Sequence, residues 1–220
     1  MARRTKEEAE QTRNAILDAA EQIFFERGVA RTTLEEIARA AGVTRGAVYW
    51  HFRDKVDLFD AMQSRARLPQ EDVLDSLLRS QDTDRPLDRL CATMLDVCHV
   101  MATDLRRRRV FTILFHRCEY VEEMRAVVQR KQDRTDQMLD RSRRFFEMAA
   151  QKGELSPVWP PAAAAMGLHA LMVGLLSRML VGDDFQGTPP ITVAMAQECV
   201  TAFFQSMKAN TGEAHTGPVP

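Results

Sequence analysis

Apolar residues recur along this chain every three or four positions and nowhere alternate as a strand would, so the pattern predicts helices throughout and no sheet. Thr5 and Glu8 form a capping box that opens a first helix. Ile16, Ala19, Ala20, Ile23 and Phe24 mark its buried face, and Gly28 ends it. Two short helices follow. Leu34, Ile37, Ala38 and Ala41 fall at i, i+3, i+4 and i+7, behind a second capping box of Thr33 and Glu36. Gly42 turns the chain, because a glycine enters the left-handed region at little cost, and Val43 fills the corner. Thr44 then caps a helix from Arg45 to Phe52. Ala47, Val48 and Phe52 point inward on it, leaving Arg45, Gly46, Tyr49 and Trp50 outward. Two helices joined in this way form a helix-turn-helix, whose second member is shaped to enter a major groove.

Beyond Phe52 the helical pattern continues. Asp54 caps a helix carrying Val56, Leu58, Phe59 and Met62, and Pro69 is expected to break or kink it. Pro86 opens a helix to about Met101, Asp104 to Cys118 forms another, and Val121 to about Lys152 forms a long one closed by Gly153. Pro157, Pro160 and Pro161 interrupt the chain before a nearly continuous apolar run, 162–181. That run is long enough to span a membrane, but it is rich in alanine, contains His169 and Arg178, and stands alone in a polar chain. It reads better as a helix buried on both sides. Gly167 and Gly174 would allow close approach, and with Val193, Ala196, Val200, Phe203 and Phe204 on a last helix they suggest a four-helix dimer interface. The expected architecture is all-α. A three-helix DNA-binding domain occupies residues 1–52, a helical ligand-binding and dimerisation domain 53–209, and a disordered tail 210–220.

Charge sharpens the first domain. The 220 residues carry a net charge of −1, so DNA binding cannot rest on a basic chain. Between residues 39 and 55, however, Arg39, Arg45, Arg53 and Lys55 face Asp54 alone. Arg45 lies in the first turn of the groove-facing helix, where its fork can hold guanine O6 and N7. Gly46 and Ala47 let the helix sit close to the bases, beside Trp50. Thr33, Thr44, Tyr49, His51 and Lys55 are candidate phosphate donors, which position without specifying sequence. The basic N-terminus (Arg3, Arg4, Lys6) reads equally as an arm toward DNA or as a solvated end.

The stretch V-T-R-G-A-V-Y-W-H-F-R-D-K resembles the signature of the TetR family of bacterial transcriptional repressors. The opening M-A-R-R-T-K-E-E-A and the internal R-R-R-R-V-F-T-I-L-F-H-R-C-E-Y-V-E-E-M resemble its AcrR-like branch, which represses multidrug efflux operons. The resemblance implies a homodimer that binds a double-stranded operator and is released by a small lipophilic inducer. The alternatives are a regulator of another operon answering one metabolite, or a small-molecule binding protein with vestigial DNA contact. Methionine and phenylalanine are frequent in the middle helices. By periodicity alone they make a filled core; the resemblance turns them into a cavity and points to Met62, Cys98, Met101, Phe111, Phe115, Met138 and Met172, with His116, Arg117 and Glu119 as polar contacts. The run Arg106 to Arg109 could bind an anion, but reads first as a solvated helix surface.

No enzyme motif is present: no G-x-S-x-G, no P-loop, no H-E-x-x-H. Cys98 and His99 project in different directions on a helix, and His116 with Cys118 lacks further metal ligands. No cofactor and no metal are expected. Four cysteines without C-x-x-C spacing and an N-terminus without a signal-peptide core point to a cytoplasmic protein with free thiols and no membrane association.

Overall fold

The computed structural model describes residues 6–66, 70–79, 84–118, 125–180 and 191–209. Among the described residues ten α-helices follow in order: α1 (Lys6–Arg27), α2 (Leu34–Ala40), α3 (Arg45–His51), α4 (Lys55–Arg65), α5 (Gln70–Arg79), α6 (Pro86–Thr103), α7 (Leu105–Thr112), α8 (Arg125–Gln151), α9 (Pro161–Leu180) and α10 (Val193–Met207). A π-helical turn, Ile113–Arg117, extends α7, so the helix expected from Asp104 to Cys118 changes its pitch after Thr112. Among the described residues there is no sheet; an isolated antiparallel bridge pairs Leu155 with Lys208. Thr5, the basic pair Arg3 and Arg4, the break at Pro69, Glu119, Pro189 and Pro190, and the tail from Asn210 lie outside the described residues.

The helices fall into two compact units that do not follow a single cut in the chain. The first comprises residues 1–68, 100–134 and 180–190, the second the remainder. In the first unit, Ile16, Leu17, Ala20 and Phe24 of α1 form the spine of the core. Ile37 and Ala38 of α2, Val48 and Phe52 of α3, and Leu58, Phe59 and Met62 of α4 belong to the same cluster. Val110, Ile113 and Val127 join it from later in the chain. Each large side chain fully buried here contributes about 1.5–3 kcal/mol. Phe24 and Phe59 meet at 6.1 Å between ring centroids, joining α1 to α4. Gly28 ends α1 at φ +86°, where a side chain would be strained, and its amide closes onto the Phe24 carbonyl at 3.0 Å.

In the second unit, part of the apolar stripe of α10 packs within the protomer. Ala196, Val200, Phe204 and Met207 on α10 are buried. Phe203 packs edge-on against Trp159, and a Cβ on Gly167 would lie 3.2 Å from the Phe203 ring. Gly167 therefore admits an aromatic ring of its own chain, while Gly174 meets nothing within 4 Å. Met166 and Val173 on α9 and Met195 on α10 are large apolar side chains left exposed. Periodicity identified the apolar stripe of α10 but not which neighbour it meets. Helix α9 is long and apolar enough to cross a membrane by length and composition, yet 44% of its most apolar window is buried within the protein.

Candidate nucleic-acid interface

The site is assembled by helix caps. Thr33 accepts the Glu36 amide at 3.2 Å through Oγ1, while its own amide donates to Glu36 Oε2 at 2.9 Å, a complete capping box. The Thr33 amide, and its hydroxyl donating to the same Glu36 oxygen at 2.9 Å, hold the Glu36 carboxyl below the usual range, the amide leading. Gly42 turns the chain at φ +66°, and the Val43 amide donates to the Ala38 carbonyl at 3.0 Å. Thr44 accepts the Ala47 amide at 3.1 Å and so starts α3. Its hydroxyl proton stays available to an external oxygen. Val48 anchors α3 in the core, and Phe52 follows it there under the guanidinium of Arg13, 5.2 Å from the ring centroid.

Opposite Val48, the outer face of α3 is exposed. Trp50 is 72% exposed and Tyr49 46%. Arg45 lies over the Tyr49 ring at 5.4 Å and donates to its hydroxyl at 3.4 Å, which extends the guanidinium along the helix instead of leaving it to wander. Trp50 stands perpendicular to the half-buried His51 imidazole at 4.5 Å. Gly46 and Ala47 add almost no bulk between them. A cleft of about 560 Å³ opens beside this face, lined by Arg31, Thr33, Arg45, Tyr49, Arg53 and Lys55 among others. Four basic side chains there outnumber Glu35 and Asp54, which makes the cleft attractive to a phosphate backbone.

Lys55 is placed differently from the exposed donor that its position suggested. It is 8% exposed, and its ammonium donates to the carbonyls of Thr32 at 3.2 Å and Ala30 at 3.4 Å. Its charge is spent on the turn between α1 and α2, within the wall of the cleft. Arg31 and Arg53 also line the cleft, although sequence reasoning did not single them out as contacts. Arg53 counted in the local charge excess; Arg31 sits in a turn, where no periodicity assigns it a direction.

The side chains assigned to a cavity divide between the units. Met62 and Met101 are buried in the first, where Phe111 and Phe115 are half-buried with rings 6.1 Å apart. Cys98, Met138 and Met172 belong to the second, with Met138 half-buried. Burial pushes the Cys98 thiol up to about 11. His116 and Arg117 are exposed on the π-helical turn. Among the described residues, no group of three or more His, Cys, Asp or Glu is arranged to hold a metal ion.

Comparison with known proteins bears on the same residues. The profile of the bacterial regulatory proteins of the tetR family matches residues 16–62, which contain the second half of α1, all of α2 and α3, and most of α4. The C-terminal region of MAATS-type transcriptional repressors matches residues 85–187. The HTH-type transcriptional repressor BepR of Brucella suis is 45% identical over 181 residues, 82% of this chain and 86% of BepR. The chain belongs to the TetR family. This TetR-family protein is a DNA-binding transcription repressor of the helix-turn-helix class. Among solved structures it is similar to NalD, the secondary repressor of the MexAB-OprM multidrug efflux pump in Pseudomonas aeruginosa. That match has a TM-score of 0.79 at 38% identity, covering 93% of this chain and 100% of NalD. The complex of SmeT with triclosan matches with a TM-score of 0.79 at 32% identity, covering 96% of this chain and 98% of SmeT.

Proposed function

We propose that this TetR-family protein works in the cytoplasm as a homodimer, repressing a multidrug efflux operon by binding a palindromic operator and releasing it when a small lipophilic compound binds. The observation that carries the DNA half is the outward face of α3. Arg45, Tyr49 and Trp50 are exposed on a helix whose other side is locked into the core by Val48. A dimer presents two such helices to successive major grooves. The efflux half rests on likeness: NalD is described as a repressor of a multidrug efflux pump, and SmeT was solved with triclosan.

Release requires a compound that binds more tightly to the conformer unable to span both half-sites; equal affinity for both conformers would release nothing. The test is fluorescence anisotropy of the protein on DNA from its own promoter region, titrated with triclosan and then with a cationic dye. Tight binding that both compounds relieve is the expected outcome. Tight binding relieved by neither would retain the DNA-binding repressor and discard the multidrug response.

A further inference from the structure

Helix α7 begins with four consecutive arginines, Arg106 to Arg109, and they are neither a free anion site nor a plain solvated surface. Arg106 donates to Asp18 Oδ1 at 2.7 Å and lies 3.5 Å from Glu21 Oε2. Arg109 reaches Glu21 Oε1 at 3.2 Å and stands over the Phe25 ring at 6.0 Å. Arg107 turns back to Asp104, the cap of its own helix. From the last turn of α4, Arg65 adds a second guanidinium to Asp18 at 2.8 Å. Further along, the Val29 amide donates to the Arg117 carbonyl at 3.0 Å, and a Cβ on Gly28 would lie 3.4 Å from that oxygen. All of these residues lie within the first unit.

Glu21 is the centre of this seam. It is 3% exposed, and among the described residues no other carboxylate is buried. Burial raises its carboxyl above the usual range, while Arg106, Arg109 and Arg65 pull it back. A buried charge is a poor source of net stability, since desolvation offsets much of the attraction. What it supplies is register. Two apolar helices can slide against each other at small cost, whereas Asp18 and Glu21, three apart on α1, meet Arg106 and Arg109, three apart on α7, in one alignment only. The helix held in this way is the one on which the recognition helix is built, since Ile16, Leu17, Ala20 and Phe24 carry the core of the DNA-reading head.

We infer that Glu21, held by Arg106 and Arg109, is a positioning residue that sets the orientation of the DNA-reading head on α7, so that the two heads of a dimer reach both half-sites together. The inference rests on the dimeric reading proposed above. Loosening the seam leaves each head able to bind DNA but scatters the pair, which lowers the effective concentration of the second head at its half-site.

The experiment uses the full chain and two duplexes: one footprinted from its own promoter region, and the same duplex with one half-site scrambled. Wild-type protein is expected to favour the intact duplex by roughly 100-fold, from bivalency alone. Equal wild-type binding to both would refute the dimeric reading itself, and this inference with it. Given the wild-type preference, Glu21→Gln should lose about tenfold on the intact duplex and stay within about twofold on the scrambled one. Equal losses on both duplexes, or none on either, would overturn the inference. Arg109→Gln, on a half-exposed side chain that the fold tolerates more readily, should reproduce the pattern, and Arg109→Lys should restore part of the preference. Arg108→Gln removes the same charge from the exposed neighbour and should leave the ratio between the duplexes unchanged. A loss of preference in Arg108→Gln would attribute the effect to general electrostatics and overturn the inference.

Discussion

Arg45 and Lys55 are both basic, and both line the same cleft, yet they serve different ends. Arg45 is exposed and held along Tyr49, so its removal should act on base recognition. Arg45→Ala is expected to weaken operator binding roughly 10- to 100-fold and to relax selectivity at one base position, measured by anisotropy on operators mutated one base pair at a time. Equal losses on operator and random DNA would deny the base-reading role. Lys55 spends its ammonium on two carbonyls. Lys55→Met should therefore cost about 1–3 kcal/mol of stability in urea unfolding, since a charged donor leaves a buried and a part-buried acceptor behind. The dependence of DNA affinity on salt should keep its slope. A slope smaller by about one would return the ammonium to a phosphate.

Helices α2 and α3 have seven residues each, too short to persist alone, and their caps and core contacts do the work that length cannot. Thr33→Ala removes one side of the capping box and should destabilise the protein by about 1 kcal/mol, read from thermal unfolding. The same box predicts a pH dependence. Glu36 has a depressed carboxyl in the folded state, so its contribution is complete above the unfolded value and lost as the pH falls below it. Acid should thus erode the difference between wild type and Thr33→Ala; a difference that persists undiminished into strong acid would contradict this origin. At α7 the determining event was invisible along the chain. Four arginines in a row carry the same local signal whether they face water or a partner helix. Only the approach of α1 assigns Arg106 and Arg109 to Asp18 and Glu21 and leaves Arg108 outside.

A protein of net charge −1 that concentrates its positive charge beside one helix should discriminate strongly between specific and random DNA. Raising the salt from about 50 to 200 mM is expected to abolish binding to random duplex first, while operator binding persists with a steep linear decline in log affinity. Parallel loss on both would mean that the protein binds through diffuse charge. The arrangement of the units makes the same point about locality. Residues 100–134 join the first unit although residues 66–99 separate them from α4, so the DNA-reading helices are braced by a segment that belongs to the C-terminal repressor region.

The helical fold and the helix-turn-helix were legible before any coordinates because they are local. Capping boxes, a glycine between two apolar stripes and a threonine cap are encoded within a few residues, and the backbone obeys them wherever the segment is placed. The outward face of α3 followed from the same periodicity, since Val48 inward forces Arg45, Tyr49 and Trp50 outward. Contacts between distant segments were not legible. Lys55 looked like a phosphate donor until the turn at Ala30 and Thr32 closed over it, and the apolar stripe of α10 named no neighbour until Trp159 and Gly167 met Phe203. An amphipathic pattern states that a face must be buried and a cation paired. Which neighbour does so depends on segments many residues away, and their meeting is settled by packing the chain as a whole.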